Sequence, residues 1–288
     1  MKSPKEIALE KRIISLLEEI ATENGFIQKK EEKYLPLEIV KDLMEDVEIH
    51  MVQDYANDVS IIRLGYNDHG PVHMRTVTKN AIKMMALLKK AGVKTNLEEE
   101  GIGSFEESLS AVILASFFHD LGMSVGRQDH EVFSVSLAFP YIEKVLNKLL
   151  PCEEENEKNN LKRKVLIRSL AIEGIAGHMG SRKVHSLEAG IILVADGCDM
   201  TKGRARIPMA ISTEPKIGDI HKYSANSIEK VKIHSGTDKP IRIEVTMSSD
   251  VGFFQIEEVL LQKINCSPVK PYIELLAGVE GSELKQYL

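Results

Sequence analysis

His119 and Asp120 stand side by side in Ser116-Phe117-Phe118-His119-Asp120-Leu121-Gly122, where an apolar helix is expected to end. His73 lies upstream, and His130, His178 and Asp196 lie downstream. Imidazole nitrogens and carboxylate oxygens are the ligands that hold catalytic divalent metals at the borderline and hard end of the scale. A histidine followed by an aspartate is common by chance. Four further His and Asp residues, each at an expected helix end or on a helix face, make chance a poor account. Asp196 follows the apolar run Ile191-Ile192-Leu193-Val194-Ala195. A carboxylate there is costly to bury without a metal or hydrogen-bond partners.

The elements that must position these residues are mostly helical. Ile13, Leu16, Leu17 and Ile20 recur at helical intervals and predict a helix over residues 3–24. Ile39, Val40, Leu43 and Met44 predict a second over 37–55. The turn-rich stretch Asn67-Asp68-His69-Gly70-Pro71 then delivers His73 to the start of a helix striped by Val77, Ala81, Met84, Met85 and Leu88. A polar loop is expected over 94–104 and a central apolar helix over 106–119, with Gly122 as its stop. His130 opens a helix that reaches about residue 150. A helix over 161–176 breaks at Gly177-His178, and another over 184–200 carries Asp196. After residue 211 the pattern changes. A short helix over 220–228, strands over 230–234 and 241–247, a helix over 253–264 and a last strand over 272–276 are expected. The chain therefore reads as mainly α: residues 1–211 as an all-α domain and 212–288 as a small α+β domain.

The set His73, His119-Asp120, His130, His178 and Asp196 resembles the HD-domain superfamily of metal-dependent phosphohydrolases, over roughly residues 65–210. The resemblance implies that His73, His119, Asp120 and Asp196 ligate a first metal. It implies that Asp120 bridges to a second, held also by His130 and His178, as in the dinuclear branch. His119 and Asp120 are then the residues expected to carry the catalytic step. Many dinuclear relatives have a lysine after H-D-x-G. Here that position is Met123, and Arg127 is the candidate to take over its contact with phosphate. The resemblance implies iron, manganese or magnesium. Manganese or iron is favoured, one or two ions per chain, with cobalt, nickel and zinc compatible with the ligand types.

Other signals bear on the substrate. Lys202, Arg204 and Arg206 follow Asp196 in a basic loop that suits a phosphate, arginine giving bidentate contacts. Arg75, two residues beyond His73, is read as facing the same cleft or solvent. His50, His69, His185, His221 and His234 are read as residues outside the site. Gly101-Ile102-Gly103 lacks the strand and helix context of a nucleotide fingerprint. No G-x-x-x-x-G-K or G-x-S-x-G sequence is present.

The 288 residues carry a net charge of −6, with 43 % hydrophobic and 28 % charged residues, which fits a soluble protein and disfavours broad nucleic-acid binding. Cys152, Cys198 and Cys266 form no C-x-x-C pair, which fits a reducing cytoplasm. The N-terminus is charged and periodic with no signal-like apolar stretch, and the longest apolar runs fall short of the roughly 20 residues a bilayer span needs. The expected function is a cytoplasmic metal-dependent phosphohydrolase or phosphodiesterase acting with a metal-activated hydroxide on a small, nucleotide-like phosphate ester, with no membrane partner. A non-catalytic metal- and ligand-binding signalling module, and a nuclease acting on nucleic-acid ends, are the alternatives. The small domain admits a homodimer in which it extends a sheet between subunits.

Overall fold

The computed structural model describes residues 2–26, 33–154, 156–201 and 220–288. Helix α1 (Pro4–Glu23) opens with a capping box, Ser3 accepting from the Glu6 N–H and Glu6 from the Ser3 N–H. The helix expected over 37–55 is two helices, α2 (Leu35–Glu45) and α3 (Val47–Asp58). Asp46 is extended, and its carboxylate accepts from the N–H groups of Glu48 and Ile49. A residue that satisfies the first donors of a new helix breaks a continuous apolar stripe. A π-helical turn (Val59–Arg63) follows, and Pro71 starts α4 (Pro71–Lys90). The loop expected over 94–104 contains one short helix, α5 (Asn96–Glu99), capped reciprocally by Thr95 and Glu98.

Helix α6 (Phe105–Phe118) is buried along almost its whole length, as its apolar sequence requires. It packs against α2, α4, α8 (Glu157–Gly177) and α9 (Leu187–Gly197), and so forms the axis of the helical layer. Helix α7 (His130–Leu149) packs on α8 and on the 3-10 turn Leu121–Ser124 that follows α6. No helix among the described residues is long and apolar enough to cross a membrane.

The C-terminal region is α+β. Helix α10 (Ile220–Ser227) leads into β1 (Ile228–Ser235) and β2 (Ile241–Met247). Helix α11 is continuous through Gly252–Gln255, a π-helical stretch Ile256–Leu260, and Leu261–Asn265. Strands β3 (Ile273–Val279) and β4 (Lys285–Gln286) complete a sheet of order β1-β2-β3-β4. The segment expected as the last strand is thus the third of four. β2 and β3 are parallel, paired from Ile241↔Ile273 to Met247↔Val279, whereas β1 and β4 add antiparallel. A parallel pair requires a crossover, and α11 supplies it. α11 and the turn after it lie against α9, where Gly190 and Gly197 share one face two turns apart. A Cβ on Gly190 would come within 2.6 Å of Ser267 Oγ, and one on Gly197 within 3.1 Å of Lys263 Cδ. Ile243, Ile256, Leu260 and Leu275 join the same hydrophobic cluster as the helices. The domain boundary expected at 211 lies outside the described residues.

Candidate metal centre

His73 sits in the first turn of α4, His119 and Asp120 just past the end of α6, and His130 at the start of α7. His178 follows the end of α8, and Asp196 is in the last turn of α9. All six are buried. Three of the four histidines use one local device. His119 Nδ1 lies 3.0 Å from Ser116 O, His130 Nδ1 2.9 Å from Arg127 O, and His178 Nδ1 2.7 Å from Ile175 O. A carbonyl only accepts, so each Nδ1 is the donor, and Nε2 is turned toward the interior. His73 is held by a carboxylate instead, its Nδ1 lying 2.7 Å from Asp199 Oδ2. Anchoring of the far ring nitrogen in this way is characteristic of metal-ligating histidines.

The inner atoms converge on Asp120. Its Oδ2 is 3.0 Å from His73 Nε2 and 3.3 Å from His119 Nε2. Its Oδ1 is 3.2 Å from His130 Nε2 and 3.4 Å from His178 Nε2. Within each histidine pair the Nε2 atoms are 3.1 Å apart. The rings are steeply inclined, at 66° and 76°, which points the nitrogens at a common centre rather than along one N–H···N line. Asp196 Oδ1 joins the first pair, 3.2 Å from His73 Nε2. The chemistry of this donor set fits divalent cations: His73, His119 and Asp196 form one group, and His119, Asp120 and His178 an overlapping one.

Two devices place His130. Asp129 has φ 53°, the left-handed region uncommon for a non-glycine residue, and it turns the chain into α7. Gly122 N–H donates to Ser134 Oγ at 2.8 Å, and a Cβ at Gly122 would lie 1.9 Å from the His130 carbonyl oxygen. Gly122 therefore does more than end a helix, because its missing side chain seats α7 against the His119-Asp120 turn.

Burial opposes charge on both carboxylates, yet each is held well below the usual carboxylate range. His119 and His69 act on Asp120, and Lys263 with His119 and His73 act on Asp196. Burial lowers the His119 imidazole, but Asp120 and Asp196 outweigh it and raise the group. His178, with burial dominant and His119 adding to it, is pushed down to about 4 and stays neutral. Burial and the neighbouring carboxylates push the Cys198 thiol up, so it remains S–H. A sign follows for metal uptake. Raising His119 favours its protonated form, and a metal must displace that proton. Chelator-stripped protein should release protons on binding metal, and affinity should rise with pH as His119 loses its proton. Calorimetry in buffers of different ionisation enthalpy checks it; binding heats independent of buffer would contradict it.

Asp120 and Asp196 open onto a cavity of about 520 Å³. Arg127 lies on its wall, half-buried, with its guanidinium 5.7 Å from the centre of the Tyr66 ring and within 3.9 Å of Met179 Sδ. Met123, in contrast, is fully buried in the core. Lys202, Arg204 and Arg206 lie outside the described residues. Arg75 faces neither the cleft nor solvent. It is buried, bonded to Glu10 at 2.7 Å and Gln53 at 3.0 Å, and stacked on Phe117, so it ties α1 and α3 to α4. His50 is bonded to Glu6 and Asp54, and His234 to Glu244, in keeping with roles outside the site.

Asp199 and Lys263 carry no expectation from the sequence, and His69, expected outside the site, lies on the cavity wall instead. Asp199 holds His73, and its spacing of three from Asp196 was the available signal. Lys263 Nζ donates to Asp196 Oδ2 and, at 2.9 Å, to the His178 carbonyl. His69 lines the cavity with its ring 5.8 Å from that of His73, its Nδ1 2.6 Å from Asn67 O.

The fold and site thus define a mainly α protein whose buried His/Asp cluster is able to hold a divalent metal. The chain is 40 % identical, over 246 residues, to an uncharacterized protein of Methanocaldococcus jannaschii, a match spanning 85 % of this chain and 90 % of that protein. It belongs to the same family as that protein. No family model matches the chain, and no solved structure matches it.

Proposed function

We propose that this chain is a metal-dependent phosphohydrolase or phosphodiesterase of the HD-domain superfamily, acting on a small, nucleotide-like phosphate ester. The observation that carries the reading is Asp120, which offers one carboxylate oxygen to the pair His73/His119 and the other to the pair His130/His178. His73, His119, Asp120 and Asp196 would hold one ion, and Asp120, His130 and His178 a second. Divalent ions bound there supply a water of lowered pKa and neutralise charge on phosphoryl oxygens. The chain's own residues do the rest. Asp199 and the carbonyls of Ser116, Arg127 and Ile175 fix the rings. Arg127, on the cavity wall, offers a fork of donors matched to a phosphate. The cavity has the size of a small-molecule site. Four imidazoles favour manganese or iron over magnesium, which prefers oxygen ligands and retained waters. Unpaired cysteines suit a reducing cytoplasm.

The test is hydrolysis of bis(4-nitrophenyl) phosphate, 4-nitrophenyl phosphate and a panel of nucleotides by manganese-loaded protein. Turnover should vanish on chelation and return with metal. Metal-loaded protein that cleaves no ester in the panel would overturn the proposal.

A further inference from the structure

The wall of the cavity is shared between the helical layer and α11, which contributes Gln255, Glu258, Gln262 and Lys263. Lys263 differs from the others because it touches the metal cluster itself. Its ammonium donates to Asp196 Oδ2 and to the His178 carbonyl, and its side chain is only 11 % exposed. An ammonium has three donors, and these contacts use two. A neutral amide would serve both acceptors with a smaller desolvation cost. The charge helps to hold Asp196 ionised, and one N–H donor remains for a further acceptor at the cavity wall. The approach is built for it, since Gly197 leaves the room that the lysine stem fills, 3.1 Å from the position of its missing Cβ. A phosphate ester entering beside Asp120, Asp196 and Asp199 meets three carboxylates. The proposed ions offset much of that charge, and among the described residues Lys263 is the lysine on the cavity wall that touches the cluster and can add to them.

We infer that Lys263 is an anion-binding residue of this site, contacting a phosphoryl oxygen of the substrate, and that α11 is thereby part of the catalytic unit. The inference rests on the phosphohydrolase reading and adds a residue from outside the helical layer.

The test compares full-length wild type and Lys263→Met, each loaded with manganese and titrated with inorganic phosphate by calorimetry, with metal content measured in parallel. The expected result is phosphate affinity reduced at least about tenfold with the metal sites still filled at saturating manganese, and recovery of most of the affinity in Lys263→Arg. Equal phosphate affinity in wild type and Lys263→Met would overturn the inference and leave the phosphohydrolase reading intact. So would loss of metal together with phosphate, which would make Lys263 a support for Asp196 alone. Wild type that takes up no metal would instead sink the underlying reading, and the inference with it. Should Lys263→Met fail to fold, acetic anhydride labelling of wild type decides. Phosphate should protect Lys263 but not Lys285, whose side chain is 61 % exposed, and unprotected Lys263 would overturn the inference.

Discussion

Asp120→Ala should leave the protein folded, without stoichiometric metal and without turnover. Among the described residues, Asp120 is the only one whose two carboxylate oxygens face both histidine pairs, so its loss removes a ligand from each proposed ion at once. Residues that merely orient ligands cost about 10–100-fold in metal affinity or activity. A shared ligand should cost more, on the order of 10³-fold. The fold should survive, because removing a buried carboxylate also removes its desolvation cost. Thermal denaturation separates site from scaffold. At metal concentrations about 100-fold above Kd, wild type should gain about 2.7 kcal/mol, or roughly 5–10 °C in Tm. The variant should gain nothing, while the two chelated proteins melt within a few degrees of each other. A variant that keeps its metal-dependent shift would remove Asp120 from the centre of the account.

Gly122→Ala should be the most damaging glycine-to-alanine change among the described glycines. The new Cβ would meet a backbone atom, the His130 carbonyl oxygen, at 1.9 Å, and backbone cannot rotate out of the way as a side chain can. The start of α7 must retreat by about 1 Å or more. Overpacking of this kind costs up to about 3 kcal/mol or more, and the Gly122 N–H bond to Ser134 is worth about 1 kcal/mol besides. His130 moves with the helix, and a misplacement of about 1 Å in a catalytic group can cost about 10²-fold in rate. Gly126 is the internal control, since a Cβ there meets nothing within 4 Å. Urea unfolding should show Gly126→Ala close to wild type and Gly122→Ala lowered by several kcal/mol, with metal content reduced. Equal midpoints would show that α7 is not seated on this glycine.

The ligand candidates were legible because each sits where a polar side chain needs a reason. Asp196 interrupts an apolar run, and His119, His130 and His178 mark helix ends. The helices were legible because their buried faces repeat at helical spacing, as in α1, α4 and α6. Partners brought in by tertiary packing were not. Asp199 is 126 residues from His73, and Lys263 is 67 from Asp196. No local pattern links them, and Lys263 reads as one solvated charge on a short amphipathic helix. Asp46 was missed as a break because apolar residues continue on both sides of it. The two residues of β4 are exposed and too few to show any alternation. Gly122 was visible as a punctuation residue, but its closeness to His130 depends on how α7 returns to α6.

The most direct measurement is the metal-to-protein ratio of wild-type protein by plasma mass spectrometry, after loading with manganese or iron and removal of excess. The account predicts about two ions per chain, one for each side of Asp120, falling well below one in Asp120→Ala. A wild-type chain that retains less than one ion of every divalent metal offered would contradict it, and the four anchored histidines would then need a purpose other than metal chemistry.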